Sequence, residues 1–326
     1  MKYFSKILRS WYLVSVIVVC VLLTEPVFCI PVSGIVFLDL NHDGVKGARE
    51  PGLSNVAVSD GHKIILTTGK GYYNLETKVG QYVFISLPQG YRTSKKFFAQ
   101  VEEACEINFP LEDWEESKKK VFQFAQISDI HIDVREDMKK VITSFNEDIL
   151  ELNGIYPLPA FIIATGDMII AGKEKLEFDN YLRCIANLKI PIFHLPGNHD
   201  VEHAGAMYYQ DLLGPKYYSF NFGNYHFVLL NSNDFDQKQK DWLRNDLAVL
   251  PEGMSIIFAL HHLPSHEKLR FLSSYKAKAI LSGHWHGNRV CNNYGMLDIN
   301  TPPLRFGGLD RHPRGFRLIN IRSDNT

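Results

Sequence analysis

The sequence predicts an α/β protein: a mixed-sheet domain with helices on its faces, preceded by a small all-β sandwich. Residues 33 to 111 carry short β-type runs punctuated by glycine and proline turns. From residue 121 onward, apolar strand runs alternate with segments of helical spacing. Between the two, Glu112 to Lys120 (E-D-W-E-E-S-K-K-K) is charged and lacks apolar periodicity, which marks an interdomain linker. A chain of 326 residues is comfortable for two domains, and a hydrophobic fraction of 45% supports a substantial core. Thirty-five basic against thirty-six acidic residues leave a formal charge of -1, so no global field favours nucleic acid or an anionic membrane. Any attraction for phosphate must be local.

The first thirty residues stand apart. Lys2, Lys6 and Arg9 precede the apolar run Trp11 to Leu23, whose thirteen residues suit a signal-peptide core and fall short of the roughly 20 needed to span a bilayer. The expectation is a secretory signal over residues 1–30 and a periplasmic or extracellular destination. The alternative is an uncleaved amino-terminal anchor that tethers the protein to a membrane. Without Cys20 and Cys29, which leave with such a signal, Cys105, Cys184 and Cys291 remain, and their spacing suggests neither a disulfide framework nor a zinc ribbon.

Residues 31–111 form the β-module. Its strand signals are Ile35 and Phe37, Val56 and Val58, Ile64 to Leu66, Tyr72, Tyr82 to Ile85, and Phe97 to Val101. Turns fall at Pro51-Gly52, Asp60-Gly61, Gly69 to Gly71 and Pro88 to Gly90. Asp39, Asn41, Asp43, the Val45 carbonyl and Glu50 occupy positions 1, 3, 5, 7 and 12 of a calcium-loop template built around Gly44. Two readings of that loop stand: a calcium site, or a polar turn whose Asp and Asn side chains satisfy backbone amides. Gly47 at position 9 and the cationic Lys46 weigh against calcium.

After the linker at 112–120, residues 121–326 form the second domain. Val121 to Ile127 is an apolar strand run, Glu136 to Leu152 is helical, Ala160 to Ala164 is a buried strand, Lys173 to Leu188 is helical, and Ile190 to Leu195 is apolar again. A hairpin follows, Tyr217 to Asn221 and His226 to Asn231 across Gly223-Asn224, then a helix at Gln237 to Leu250 and strands at Ser255 to Leu260 and Ala279 to Leu281. In sheets of this kind ligands bind beyond the carboxyl ends of the strands.

Five short motifs sit at those ends: D-I-H at Asp129 to His131, G-D at Gly166-Asp167, G-N-H-D at Gly197 to Asp200, H-H at His261-His262, and G-H-W-H at Gly283 to His286. Together they supply three carboxylate or amide oxygens and four imidazoles, a donor set of the nitrogen and oxygen character preferred by iron, zinc and manganese. No thiolate takes part, which argues against a closed structural zinc site. Two metals need a shared carboxylate, and Asp167 suits that bridge because Gly166 lets the backbone approach closely.

D-x-H, G-D, G-N-H-D, H-H-x-P and G-H-x-H in this order resemble the calcineurin-like metallophosphoesterases, dinuclear metal phosphatases and phosphodiesterases built as an αββα sandwich. The resemblance spans about Val121 to Ile321. It implies that Asp129, His131, Asp167 and His286 hold one metal while Asp167, Asn198, His261 and His284 hold the other, with manganese, zinc or iron as the ions. It also implies attack on phosphorus by a hydroxide shared between the cations, with His199 near the substrate as an electrostatic or general-acid group and Asp200 orienting it. His262 is expected to hydrogen-bond behind the ligands, and His194, His203 and His226 to be structural. Arg311, with His312 and Arg314, is a candidate for substrate phosphate. The module's pattern G-x-V-F-x-D-x-N-x-D-G-x-x-x-x-x-E-P-G-L resembles the SdrD B-type and prealbumin-like modules that precede many exported bacterial enzymes.

The expected protein is an exported bacterial phosphoesterase acting on small phosphate mono- or diesters. It needs no nucleic acid, and no membrane beyond an amino-terminal anchor; no motif specifies an oligomeric state. Two rival readings are an inert cell-surface binding protein and a metal-dependent nuclease. The intact ligand set weighs against the first, and the neutral charge without an aromatic-basic stripe weighs against the second.

Overall fold

The computed structural model describes residues 29–134 and 138–323, so the signal or anchor expected at the amino terminus lies almost wholly outside the described residues. No helix among the described residues is long and apolar enough to cross a membrane. The amino-terminal module consists of two sheets. One orders Tyr72–Lys78, Cys29–Leu38, Phe109–Asp113 and Tyr91–Thr93, with Cys105–Glu106 also paired to Cys29–Leu38; the other orders Ile64–Leu66, Ala57–Ser59, Tyr82–Ile85 and Phe98–Gln100. Strict alternation along Tyr72–Lys78 buries Tyr73, Leu75 and Thr77 and exposes the residues between them, as a strand with one solvated face requires.

The segment expected as a linker is built into the fold. Glu112 and Asp113 finish the strand Phe109–Asp113, and Glu115–Lys118 form a 3-10 turn. Its Ser117 is buried, with Oγ accepting from the Gly90 amide at 2.7 Å and donating to the Trp114 carbonyl at 2.8 Å. Across the junction the apolar core is continuous: Phe84 packs on Trp242 with ring centroids 6.5 Å apart, and Tyr217 Oη donates to the Gly61 carbonyl at 2.6 Å.

The second domain is an αββα sandwich. One sheet orders Ile192–His194, Ile162–Ala164, Phe122–Ile127 and Arg317–Ile321, the first three parallel and the last antiparallel. The other orders Tyr218–Phe222, Tyr225–Leu229, Ser255–Ala259, Ala279–Ser282, Met296–Asn300 and Arg289–Asn293, with parallel pairing from Tyr225–Leu229 through Met296–Asn300. Alternation along Phe122–Ile127 splits the strand between two cores. Ala125 and Ile127 face helices Met138–Asn153 and Lys175–Ile185, while Phe122 and Phe124 enter an aromatic layer between the sheets. There Phe124 and Phe161 stack at 5.0 Å, Phe193 and Phe220 at 3.8 Å, and Phe220 and Phe227 at 4.9 Å. Helices Gln237–Ala248 and His266–Ser273 contribute Trp242, Leu243, Leu269 and Leu272 to the core of the second sheet.

Several elements had no sequence expectation. Helices Asn198–Val201, Gly205–Leu212 and His266–Ser273 are short, and the strand Arg289–Asn293 (R-V-C-N-N) is polar. An edge strand of that composition lacks the apolar alternation and β-branched enrichment by which strands are read, and its place is set by pairing with Met296–Asn300.

Candidate active site

Every ligand motif leaves a strand at its carboxyl end. Asp129 and His131 follow Phe122–Ile127, Asp167 follows Ile162–Ala164, Asn198 follows Ile192–His194, His261 follows Ser255–Ala259, and His284 and His286 follow Ala279–Ser282. Parallel pairing within each sheet sends these ends to one edge of the sandwich. There the backbone turns left-handed at Asp129, His131, Asp167, His284 and His286, with φ of 52, 51, 55, 65 and 46°. For residues other than glycine such a conformation costs on the order of 1–3 kcal/mol. In both D-x-H and H-x-H the turn lets two side chains separated by one residue reach the same cleft. Glycines supply the close approaches: a Cβ on Gly197 would stand 2.0 Å from Asp167 Oδ1, and one on Gly283 would stand 2.7 Å from Asp129 Oδ2.

Six of the seven predicted ligand residues fall into two overlapping groups. Asp129 Oδ1 lies 4.0 Å from His131 Nε2 and 3.3 Å from His286 Nε2, and the two imidazole nitrogens are 3.4 Å apart. On the other side, His261 Nε2 lies 3.1 Å from Asp167 Oδ2 and 3.2 Å from His284 Nδ1. Asp167 Oδ2 is also 3.7 Å from His131 Nε2, so one carboxylate oxygen faces both groups. Asn198 Oδ1 is buried without a hydrogen-bond partner. An acceptor orphaned beside converging carboxylates and imidazoles fits a bound cation, which would satisfy it. His262 belongs to the second group as well: ligand atoms of His261, His262 and His284 lie within 4.8 Å of one another. Its Nδ1 meets Ser232 Oγ at 2.9 Å, the kind of contact that orients an imidazole.

Burial and ion pairing set the charges of the site in opposite directions. Burial holds His131 and His262 near pKa 4, so both stay neutral, the form that binds metal. Burial opposes charge on Asp167 and His261 too, but their 3.1 Å contact prevails, drawing the carboxyl down to about 2 and lifting the imidazole to about 9.

Two expected roles are corrected. Asp200 does not touch the His199 ring. It is fully buried and accepts four backbone amides: Asp167 at 2.7 Å, Met168 at 2.9 Å, Ile169 at 3.2 Å and Gly197 at 2.8 Å. It therefore latches the G-D loop to the G-N-H-D loop. Burial, then the charge of Asp167, push its carboxyl up to about 7 against the pull of the Gly197 and Ile169 amides. His199 is oriented instead by the Ile170 carbonyl, 2.5 Å from Nδ1, which leaves Nε2 3.9 Å from Asp167 Oδ2.

Arg311 is the second correction. It lies exposed on a left-handed turn (φ 65°), outside the residues that line the clefts at the site. The arginine at the mouth is Arg305, which lines a cleft of about 450 Å³ with His131, Asp133, Ile170, His199, His286 and Phe306. Its Nη1 donates to the carbonyls of Ile130 and His131, each at 3.2 Å. The signal in T-P-P-L-R-F was faint, an arginine just past a strand that two prolines break. Arg314 is paired with Asp148 at 3.1 Å, and His312 with Asn288 at 2.7 Å. His194 and His226 sit in structural contacts, with Tyr181 Oη at 2.9 Å and Asp246 Oδ2 at 2.8 Å respectively; His203 is exposed on a left-handed turn.

In the 39–50 loop, Asp43 Oδ1 accepts the Val45 amide, Glu50 accepts the Leu40 and Gly47 amides, and Asp39 Oδ2 accepts the Gly44 amide. Lys95 Nζ donates to the Asp43 carbonyl at 2.9 Å. These bonds close the turn, while Asp39 Oδ1 is buried without a hydrogen-bond partner. Among the described residues, the convergent groups of three or more metal-binding side chains all belong to the active site.

Comparison with known proteins places this geometry in a family. Residues 122–288 match the calcineurin-like phosphoesterase profile, and residues 40–113 match the profile for the N terminal of calcineurin-like phosphoesterase, a more specific label than a prealbumin-like module. A 3',5'-cyclic-nucleotide phosphodiesterase of Nostoc sp. is 26% identical over 245 residues, covering 64% of this chain and 91% of that protein. The 3',5'-cyclic adenosine monophosphate phosphodiesterase CpdA of Haemophilus influenzae is 25% identical over 249 residues, 65% of this chain and 89% of its own. The serine/threonine-protein phosphatase CPPED1 of Pongo abelii is 24% identical over 233 residues, 58% of this chain and 73% of its own. With half of its length matched and the D-x-H, G-N-H-D and G-H-x-H loops gathered at one edge of an αββα sandwich, the chain belongs to the calcineurin-like phosphoesterase family, hydrolases of phosphoric ester bonds.

Proposed function

We propose that the protein is an exported phosphoesterase that uses two divalent or trivalent transition metals to hydrolyse small phosphate mono- or diesters. The observation that carries this is Asp167 Oδ2, which faces His261 at 3.1 Å and His131 at 3.7 Å and so joins both ligand groups. Bound there, two cations would supply Lewis acidity to the phosphate oxygens and a water acidic enough to attack phosphorus near neutral pH. Relatives named as cyclic-nucleotide phosphodiesterases favour a diester substrate, and the relative named as a phosphatase keeps monoesters in range. Export rests on Lys2, Lys6 and Arg9 ahead of the apolar run Trp11 to Leu23.

In hydrolysis a water oxygen bonds to phosphorus, the ester P–O bond breaks, and the departing oxygen needs a proton. His199 supplies it. The Ile170 carbonyl can only accept, so Nδ1 keeps its proton and Nε2 faces the cleft, the atom from which the departing oxygen takes a proton in exchange for the one the attacking water gives up. Arg305 lines the rim beside Asp133, its Nη1 anchored on the Ile130 and His131 carbonyls. The test is a panel of mono- and diesters, cyclic nucleotides included, assayed on the chain reconstituted with manganese, zinc or iron. Hydrolysis of none of them under any of the three metals would overturn the reading.

A further inference from the structure

Trp285 lies between two candidate ligand histidines, yet the residue is 59% exposed. Its backbone closes the loop, the amide donating to the Gly283 carbonyl at 2.7 Å, and nothing in that role needs an indole. Leu309, 83% exposed, belongs to the same cleft, tied by its own amide to the His286 carbonyl at 2.8 Å. Both side chains line a cleft of about 710 Å³ that opens at His284 and includes Arg289, Asn288 and Asp310. Arg289 lies 5.9 Å from the Trp285 ring and is held there by Asp298 at 2.8 Å. An apolar, anchored wall that starts at a metal-ligand residue is a place for the organic half of an ester.

We propose that Trp285, with Leu309 and Arg289, forms the subsite for a flat heteroaromatic group of the substrate, a nucleobase in class, so that the enzyme prefers nucleotide esters. This rests on the phosphoesterase reading above. An alkyl chain in this cleft would strip water from Arg289, Asn288 and Asp310 and return no hydrogen bond. A base stacks on the indole and presents ring nitrogens and exocyclic amines at its edge. Asp310 can receive them: its carboxylate accepts the Asn288 amide at 2.9 Å and the His312 amide at 3.1 Å, which fixes it in place and leaves lone pairs over. With the base against Trp285, the sugar and phosphate lie toward His284 and the metal-ligand residues.

The experiment compares matched esters with and without a base, adenosine 3',5'-cyclic phosphate against ribose 3,5-cyclic phosphate and adenosine 5'-phosphate against ribose 5-phosphate. They are assayed on the full chain reconstituted with manganese, with metal content measured in parallel. Base–aromatic stacking is worth roughly 1–3 kcal/mol. Trp285→Ala should therefore lower the ratio of kcat/KM for nucleotide over abasic ester by about tenfold or more, chiefly through KM. Trp285→Phe should restore most of it. A ratio unmoved by Trp285→Ala, or both esters falling together with the metal content, would show that Trp285 only shapes the ligand loop. Wild-type hydrolysis of abasic esters with no preference for nucleotides overturns the subsite and leaves the phosphoesterase standing, and preference for a decyl ester would assign the cleft to hydrocarbon. If no phosphoester is hydrolysed, the phosphoesterase reading fails first and takes the subsite with it.

Discussion

His199 Nδ1 stands 2.5 Å from the carbonyl oxygen of Ile170. Because a carbonyl cannot donate, that contact selects the tautomer and turns Nε2 toward the cleft, where it converges with His131 and Asp167. His199→Ala should keep its metal while turnover of an alkyl ester falls by roughly 100-fold or more, the usual scale of such help. Aryl esters, whose leaving groups need little protonation, should lose less. Metal analysis alongside kinetics checks this, and loss of metal, or equal loss on both esters, would count against it.

Asp167 faces both ligand groups at once. Removing its carboxylate leaves two cations to repel across the gap, so Asp167→Ala should lose both ions and hydrolysis together. Wild-type protein loaded with excess manganese or zinc should hold two ions per chain by elemental analysis. One tight ion at saturation would sink the dinuclear reading.

Asp200→Ala should be costly for stability. Four buried amides would lose their acceptor, and each buried donor left unpaired costs about 1–3 kcal/mol. A loss of at least about 3 kcal/mol in urea unfolding is expected, with Asp200→Asn recovering part of it. A variant of near-native stability that lost only catalysis would return Asp200 to the role of orienting His199.

Asp148, buried on helix Met138–Asn153, has its carboxyl raised to about 6 by burial, with Arg314 pulling it back. The folded chain therefore binds this proton more tightly than the unfolded chain, so its contribution to stability is full below the unfolded pKa near 3.9 and is lost as pH rises toward 6. Asp148→Asn should flatten the fall in stability between pH 4 and pH 6. Urea unfolding across that range reads it, and an unchanged slope would refute the assignment.

The 39–50 loop is closed by its own amides and by Lys95. Millimolar calcium or chelator should leave its thermal unfolding unchanged. Calcium bound at a hundredfold its dissociation constant would instead stabilise the protein by about 2.7 kcal/mol, and a rise on that scale would restore the calcium reading.

The sequence by itself determined the layered α/β architecture, the β-module ahead of it, and the residue types that meet at the site. These are local properties: apolar periodicity marks the strands, and D-I-H, G-D, G-N-H-D, H-H and G-H-W-H sit at their ends, where a parallel sheet must gather them. Only the tertiary structure decided what those loops do to one another. Nothing near Asp200 in the chain says that its carboxylate reaches the amides of residues 167 to 169, thirty-odd positions away. Arg305 lies well over a hundred residues from the Ile130 and His131 carbonyls it meets, while Arg311, nearer the recognisable G-G-L-D-R, turns into solvent. The left-handed backbone at Asp129, His131, Asp167, His284 and His286 is equally invisible in the residue types, since none is glycine. Packing around the loops holds conformations that local preference would reject, and the site depends on them.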